Sequence, residues 1–423
     1  MFGAALVAAG ACANQGNPPG GPPDVAPPSI VSVRPESGAV APDWKGDAVI
    51  QFDEVIDEMA SGGGGSGAGI TGLARQVILS PVVGSVNVSW GRTRIRVKPK
   101  EGWKPGRIYH LELLPGIVDL RRNILKHGRL IVFSTGPAIG HATLGGTVLQ
   151  WVEQRTMVGA LIEAIPLPDS VGYLTLSDSA GRFQLDALAA GRYVVFATAD
   201  QNNNRRRDPR EAYDSTAVTV DSAAAVTLFA FVHDTTGPRL RGATALDSLT
   251  VRLEFTQALA AEPPLDTVRV RVLQATDSGV VTIAAILTPV QYDSLTAEAR
   301  AAVRKADSTA RRDSAAVTPP APLRPAAPAR PAATVDTAAA RKDTALVHRL
   351  LAQRPVPFDK FVLRFARPLT PETRYVIRVS GAVNLNGARG DGQVVVLTPK
   401  PPAPAKPDST PNAPRPTSRP PER

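Results

Sequence analysis

The sequence predicts an all-β protein made of tandem β-sandwiches, with a partly helical, mostly disordered insertion and disordered termini. Valine-rich segments in which apolar and polar residues alternate recur along the chain, and a period of two is typical of half-buried strands. Long segments with helical periodicity are rare. The 423 residues allow two to four domains, although many of the 40 prolines and 35 glycines cluster in tracts that cannot build a core.

The first twelve residues form a short apolar run that ends in small residues and the single cysteine, Cys12. Such a run is typical of the later part of a signal peptide. Ala9-Gly10-Ala11-Cys12 resembles a bacterial lipobox, which implies that the cysteine carries a lipid and becomes the new N-terminus. Ala9 stands where leucine is usual at the first position of a lipobox. No basic residue precedes the apolar run, and a start codon assigned too late would explain this missing basic region. The alternative is that Cys12 is an ordinary small residue in a disordered leader.

Residues 13–27 are polar and rich in glycine and proline, as expected of a tether between a membrane and a folded domain. The apolar run before them, residues 1–12, is too short to span a bilayer. We therefore expect an exported protein that the lipid on Cys12 holds in the bacterial cell envelope, at the outer membrane or the cell surface.

Residues 28–137 are predicted to form the first sandwich. Residues 85–90 and 93–99 alternate on either side of Gly91-Arg92, which predicts a β-hairpin with a glycine at its turn. Further strands are expected at residues 28–35, 48–52, 107–113 and 130–135. Short strands with turns at this spacing favour a sandwich.

Several residues of this segment resemble the bacterial Ig-like domains of the S-layer SbsA type. They are Phe52, Asp53-Glu54, Trp90, Pro99, residues 103–109, residues 116–119, Asn123 and residues 133–136. Arg122 stands where the family usually has the glycine of an Asp-x-x-Gly-Asn turn. The resemblance implies an Ig-like sandwich that serves as a spacer or an adhesive unit on a bacterial surface.

Residues 142–233 are predicted to form a second sandwich. An Asp-x-x-Gly turn at residues 178–181 precedes a strand that carries Phe183, and an Ala-Gly turn precedes a strand that carries Tyr193. This pattern resembles the carboxypeptidase-regulatory or prealbumin-like sandwich and the related B-type repeats of Gram-positive adhesins. The resemblance implies a domain without catalytic activity.

The segment 200–211 carries oxygen atoms in the order that an EF-hand loop uses for Ca²⁺, with short side chains first and a glutamate last. The predicted ligands are Asp200, Asn202, Asn204, Arg206 through its backbone carbonyl, Asp208 and Glu211. Arg205 stands where the sharp turn of such a loop has glycine. A bound Ca²⁺ would be structural. The alternative is a polar surface turn in which asparagine side chains satisfy their own backbone.

Residues 238–400 are predicted to form a second, diverged Ig-like sandwich. Residues 249–259 repeat the alternating strand of residues 48–56, and residues 369–379 resemble residues 104–113.

An insertion at residues 291–355 interrupts this copy. Asp293 or Ser294 could cap a first helix, and residues 336–353 could form a second one. Because few large apolar residues line these helices, we expect them to be solvated and mobile. Residues 401–423 are rich in proline and basic, as in an extended, disordered tail.

The formal net charge is +10, but no basic stretch alternates with stacking aromatic residues, so we do not expect nucleic-acid binding. The five histidines stand far apart, and no Gly-x-Ser-x-Gly elbow or metal-ligand cluster is present. We therefore predict a non-enzymatic envelope lipoprotein that acts as a spacer or an adhesion module toward an unknown envelope protein or polysaccharide. One alternative is an adaptor subunit that docks through residues 291–355, and another is an envelope enzyme.

Overall fold

A computed structural model of the chain describes residues 23–60, 70, 72–261, 268–297, 301 and 345–400. Cys12, the residues 302–344 of the insertion and the tail at 401–423 lie outside these ranges. Strands dominate the described residues, which confirms the all-β prediction. Among the described residues, no helix combines the length and the apolar character needed to cross a bilayer. The chain divides into two compact units, residues 1–233 with 338–351 and residues 234–337 with 352–423.

The first module of unit 1 is a sandwich of two antiparallel sheets. Its strands are β1 (Ile30–Arg34), β2 (Ala48–Phe52), β3 (Val77–Ser80), β4 (Val86–Trp90), β5 (Arg94–Pro99), β6 (Ile108–Leu113) and β7 (Arg129–Ser134). One sheet has the order β1-β2-β5-β4 and the other the order β3-β6-β7. A short 3-10 helix at Gly72–Gln76 precedes β3.

Aromatic rings fill one end of the core of this module. Tyr109 and Phe133 stack with their centroids 5.5 Å apart, and Trp103 meets both rings edge-on at 4.9 and 5.2 Å. The indole N–H of Trp103 donates to the carbonyl oxygen of Gly46 at 2.7 Å, which satisfies the polar end of the ring. Residues of the predicted 103–109 and 133–136 motifs therefore pack together on two neighbouring strands, β6 and β7, and the loop before β6.

The predicted hairpin connects β4 and β5, in which Trp90 pairs with Ile95. The backbone N–H of Gly91 donates to the carbonyl of Arg94 at 2.8 Å. Arg92 takes the left-handed backbone conformation that the turn requires, with φ at 65°.

The turn before β7 keeps its tight shape although arginine replaces glycine. Arg122 has φ at 71°, in the left-handed region. One carboxylate oxygen of the buried Asp119 accepts the backbone N–H groups of Arg121 and Asn123, both at 2.8 Å. The aspartate thus fixes the turn and offsets the strain of a non-glycine residue at this φ.

The second module of unit 1 contains eight strands that share one hydrophobic core. They are β8 (Ala142–Gln150), β9 (Arg155–Thr156), β10 (Leu161–Pro166), β11 (Tyr173–Leu176), β12 (Arg182–Leu188), β13 (Gly191–Thr198), β14 (Ala212–Val220) and β15 (Ala223–Val232). The strand order is β11-β10-β13-β14-β15-β8-β12, with β9 paired to β8. The β15–β8 pair is parallel, and the other pairs are antiparallel.

Unit 2 repeats the strand order of the first module. Its strands are β16 (Leu240–Ala245), β17 (Thr250–Leu259), β18 (Arg269–Gln274), β19 (Ile283–Leu287), β20 (Phe358–Phe365), β21 (Arg374–Val383) and β22 (Arg389–Leu397). The sheets have the orders β16-β17-β20-β19 and β18-β21-β22, which match those of β1 to β7 strand by strand. The insertion joins β19 to β20, where the first module has the hairpin turn at Gly91.

The first helix of the insertion covers residues 289–297, earlier than predicted. Thr288 and Gln291 form a capping box, because the Gln291 side chain accepts the Thr288 N–H at 2.9 Å and Thr288 Oγ1 accepts the Gln291 N–H at 3.3 Å. The prediction that Asp293 or Ser294 caps this helix was therefore wrong: both residues lie inside it.

A second helix covers residues 345–351 and belongs to unit 1. Leu351 is buried against Leu149 of β8 and Phe229 of β15, with Val347 and Leu350 packed at the margin. The expectation of a solvated helix was wrong for this segment, because three apolar residues in one and a half turns suffice to cover a small apolar patch on a sheet.

Candidate functional site

The outward face of the β3-β6-β7 sheet is the most unusual feature of unit 1. Along β6, Tyr109, Leu111 and Leu113 point into the sandwich core, so the pleat directs Ile108, His110 and Glu112 away from it. In an isolated sandwich these side chains would meet water. Here His110 is only 1% exposed and Ile108 only 6%, because the second module covers this face.

Strand β11 of the second module forms the cover. The backbone N–H of Leu174 donates to the hydroxyl of the buried Ser80 on β3 at 2.9 Å. The rings of Tyr173 and His110 lie 4.6 Å apart. At the exposed rim, Arg107 and Asp169 form an ion pair at 3.4 Å. The two modules therefore meet through a packed interface, which we call the junction.

His110 is held neutral in the junction. Among the described residues, neither ring nitrogen has a hydrogen-bond partner of good geometry. Burial lowers the pKa of His110 to about 4, and the nearby Ala187 backbone and Asp186 carboxylate oppose that shift only in part. Burial also raises the pKa of Glu112, although Thr175 and Arg205 stabilise its charged form.

The 200–211 loop, which connects β13 to β14, is closed by its own side chains. The two carboxylate oxygens of Asp200 accept the backbone N–H groups of Asn204 at 2.9 Å and Arg205 at 2.8 Å. At the other end of the loop, the buried Glu211 accepts the backbone N–H of Gln201 at 2.9 Å. The first predicted calcium ligand thus ties the start of the loop to its middle, and the last one ties the start to the end.

The middle of the loop brings three more predicted ligands together. The side-chain nitrogens of Asn202 and Asn204 both donate to Oδ2 of Asp208, at 2.6 and 3.0 Å. A cation would need the amide oxygens at this place, and an amide can exchange its oxygen and nitrogen without needing more space. Turning either amide would break a hydrogen bond, because the amide oxygens of Asn202 and Asn204 accept the backbone N–H groups of Asn204 at 2.9 Å and Arg206 at 2.7 Å. Ca²⁺ binding stays a prediction.

Arg205 leaves the loop and enters the first module. Its guanidinium donates to the carbonyl oxygens of Val77 and Arg75, the latter at 2.6 Å. Burial lowers the pKa of Arg205 to about 10, against the opposing charges of Asp200 and Glu112, so the group stays cationic at neutral pH. Its φ of 55° lies in the left-handed region, where a non-glycine residue costs about 1–2 kcal/mol. The arginine at the glycine position of the loop thus contacts the first module through its side chain.

Arg207, two residues further on, fixes the loop to its own module. Its guanidinium lies over the ring of Phe196, 3.8 Å from the centroid, and 5.9 Å from the ring centroid of Tyr213. Cation–π contacts of this kind stabilise by about 0.5–1 kcal/mol at exposed sites. Because Arg205 binds the first module and Arg207 the second, the loop acts as a bracket across the junction.

A cluster of three carboxylates was not predicted from the sequence. Oxygens of Asp24, Glu54 and Asp119 lie within 4.8 Å of one another. Burial and the neighbouring charges of Asp119 and Asp24 raise the pKa of Glu54. Asp119 already accepts hydrogen bonds from Asn123 and from the turn it stabilises, so we assign the cluster a structural role. No sequence signal links these residues, because they come from three separate loops.

The bacterial Ig-like domain family matches residues 24–135 of the chain. Among solved structures, the chain is similar to BcpA, the major pilin subunit of Bacillus cereus, at 12% identity, with 48% of this chain and 70% of that chain covered and a TM-score of 0.18. A DUF3823 family protein from Bacteroides uniformis is 8% identical, with 61% and 100% covered and a TM-score of 0.17. TM-scores this low support no argument about function. A search of curated proteins finds no match.

We expect Arg205→Gly to lower the free energy of unfolding of unit 1 by about 2–3 kcal/mol, because two hydrogen bonds from a charged donor to buried carbonyls are lost. Glycine also relieves the left-handed strain of about 1–2 kcal/mol, so the expected loss is what remains after this gain is subtracted from the two lost hydrogen bonds. Urea unfolding followed by tryptophan fluorescence measures the change. The exposed neighbour variant Arg206→Ala should stay within about 0.5 kcal/mol of the unchanged protein. Equal values for the two variants would contradict the role of Arg205.

We expect the stability of unit 1 to decrease as the pH falls from about 6.5 to about 4. Since the folded-state pKa of His110 lies below its value of 6.5 in the unfolded chain, the unfolded state takes up a proton that the folded state excludes. The loss should reach about 3 kcal/mol at pH 4. Urea unfolding across this range should show a flatter pH dependence for His110→Leu than for the exposed-site control His127→Leu, and parallel curves would refute the assignment.

Proposed function

We propose that the chain is a non-enzymatic, lipid-anchored protein of the bacterial cell envelope whose sandwiches serve as a spacer and binding module. The observation that supports this proposal is the junction. A spacer holds a fixed distance and transmits force only if its modules do not move freely, and domains of one chain move relative to each other unless their interface is large and apolar. The junction buries apolar side chains of the β3-β6-β7 sheet, and Arg205 and His110 would lose their buried surroundings if the modules separated.

The short connection between the modules supports the same proposal. Strand β7 ends at Ser134 and β8 begins at Ala142, so only residues 135–141 join the sandwiches. Hydrogen bonds hold the first of these residues: Thr135 Oγ1 donates to the Lys104 carbonyl at 2.7 Å, and the backbone N–H of Arg107 donates to Thr135 Oγ1 at 3.1 Å. Such a connection leaves little chain length for independent motion.

The perturbed pKa values at the junction do not indicate an active site. Shifted groups in a cleft are candidates for catalysis, but packed interfaces shift pKa values as well. His110 is 1% exposed and stacks against Tyr173, so no substrate can reach its ring without separating the modules. Burial by the second module accounts for the shifts of both His110 and Glu112.

We further propose that the 200–211 loop binds Ca²⁺ and thereby stiffens the junction. Its oxygen atoms belong to the hard donor class that Ca²⁺ prefers. Asn204 and Asp208 flank the position from which Arg205 reaches the first module. A cation that holds these side chains would reduce the freedom of the loop and therefore the freedom of Arg205.

The adaptor alternative, docking through residues 291–355, receives less support. Val347, Leu350 and Leu351 of the second helix already pack within unit 1, and only Leu346 remains as a large apolar residue of this helix outside that cluster. Residues 302–344 of the insertion lie outside the described residues.

We expect cells that express the chain, extended to the nearest upstream start, to incorporate radiolabelled palmitate into it. The Cys12→Ala variant of the same extended chain should carry no label, because it lacks the thiol that accepts the lipid. Label that persists in the Cys12→Ala variant, or a protein that stays unlabelled in the cytosol, would overturn the anchor.

We expect Ca²⁺ to raise the temperature of thermal unfolding relative to a chelator, since a ligand that binds only the folded state at a hundred times its Kd stabilises by about 2.7 kcal/mol. Asp208→Ala should abolish the difference between the two conditions, whereas the exposed-site control Asp221→Ala should keep it. Identical unfolding of the unchanged protein with Ca²⁺ and with chelator would exclude the metal and leave the spacer proposal intact.

A further inference from the structure

The sandwich of unit 2 has an open side between its two sheets. In the described sheets, β18 pairs only with β21, and β19 pairs only with β20. Between these two edge strands lies a groove of about 900 Å³. We call it the β18–β19 groove.

The floor of the groove is apolar. Val270, Ile283 and Ile286 are partly exposed there and pack against the core of unit 2 from its edge. These side chains offer apolar surface that another apolar side chain could bury, and removing such surface from water favours binding.

The rim of the groove is positively charged. Arg269, Arg271 and Arg378 line it with exposed side chains, and no acidic residue of the described part of the chain lines it. Arg271 and Arg378 stand directly opposite each other on β18 and β21, an arrangement in which like charges destabilise a sheet. The Nε–H of Arg378 donates to the neutral side chain of Gln393 at 2.9 Å, so this contact neutralises neither charge.

Strand β18 also presents free backbone groups to the groove. The carbonyl of Val272 accepts the N–H of Val281, and the N–H of Gln274 donates to the carbonyl of Gly279, both at 2.9 Å on the side away from β21. In an antiparallel strand, alternate residues direct their backbone groups to the same side. The N–H and C=O of Val270 therefore point into the groove, where no described residue bonds to them.

The equivalent strand of the first module is already satisfied. Strand β3 occupies the same place in its sheet order as β18, and the guanidinium of Arg205 caps the backbone carbonyl of Val77 on it. In the first module, this edge therefore accepts a donor from outside the sandwich.

We propose that the β18–β19 groove binds an extended peptide in which apolar and acidic residues alternate, added as a strand beside β18. The backbone of such a peptide would pair with Val270. Its apolar side chains would lie on Val270, Ile283 and Ile286, and its acidic side chains, on the other face of the pleat, would lie beside Arg269 and Arg271. The partner is thus an acidic strand of another protein. The proposal goes beyond the spacer function and does not depend on the lipid at Cys12.

An anionic polysaccharide is the competing occupant, because arginines also attract sulfate and carboxylate groups on sugars. It would use the rim alone. It would not need the backbone N–H of Val270, and this difference allows the two occupants to be distinguished.

The test uses the full chain and a fluorescein-labelled peptide of alternating valine and glutamate, about eight residues long. Fluorescence anisotropy should detect binding of this peptide and none of a matched peptide with lysine in place of glutamate. The double variant Arg269→Glu/Arg271→Glu should weaken binding by about tenfold or more. The exposed-site control Arg241→Glu on β16 should leave it unchanged.

Two changes test the backbone pairing. Val270→Pro removes only an N–H that faces away from the sheet, which is a position where an edge strand tolerates proline, and it should abolish binding while thermal unfolding stays cooperative. N-methylation of the peptide valines should abolish binding to the unchanged protein, so the test holds even if the variant fails to fold. Undiminished binding of the N-methylated peptide would overturn the proposal, and so would binding of fluorescein-labelled dextran sulfate by a chain that does not bind the Val–Glu peptide.

Discussion

The architecture of unit 1 depends on covering the outward face of the β3-β6-β7 sheet. A sandwich normally buries one face of each sheet and leaves the other to water. Here Ile78, Ile108 and Val132 are buried on the second face as well, together with the ring of His110. A sheet that is apolar on both faces is stable in water only under a cover, and the second module provides it. The 200–211 loop, the Arg205 contact and the rim ion pair are all arranged around that cover.

The sequence predicts structure well where residues that are close together in the chain determine it. The β4–β5 hairpin follows from the alternation on either side of Gly91, and the all-β class follows from the same period. The role of Arg205 could not be predicted, because its partners Arg75 and Val77 lie 130 and 128 residues away in the chain. In the sequence, Arg205 was only a residue that departs from the glycine expected at this position of a calcium loop. The stability of the helix at 345–351 was underestimated for a similar reason, because it comes from packing against Leu149 and Phe229 rather than from the helix propensity of the segment.

The first sandwich and the sandwich of unit 2 share one strand order, but their edge strands make different contacts. In the first, the edge of β3 receives a guanidinium and one sheet face receives a neighbouring module. In unit 2, the edge of β18 keeps free backbone groups and an arginine rim, and the hairpin turn of the first copy is replaced by a long insertion. An edge strand with free backbone groups is an aggregation hazard unless charge protects it. The arginines of β18 give that protection against a second copy of the chain while favouring an acidic strand.

The central claim is that the first two sandwiches form one stiff body through Arg205, and an electron-spin distance measurement tests it most directly. In a Cys12→Ala background, nitroxides on Val31→Cys and Val158→Cys would mark the two modules at side chains that are 63% and 62% exposed. The account predicts one narrow distance distribution that broadens when Arg205→Gly is added. A broad distribution before that change, or a narrow one that Arg205→Gly leaves untouched, would contradict it.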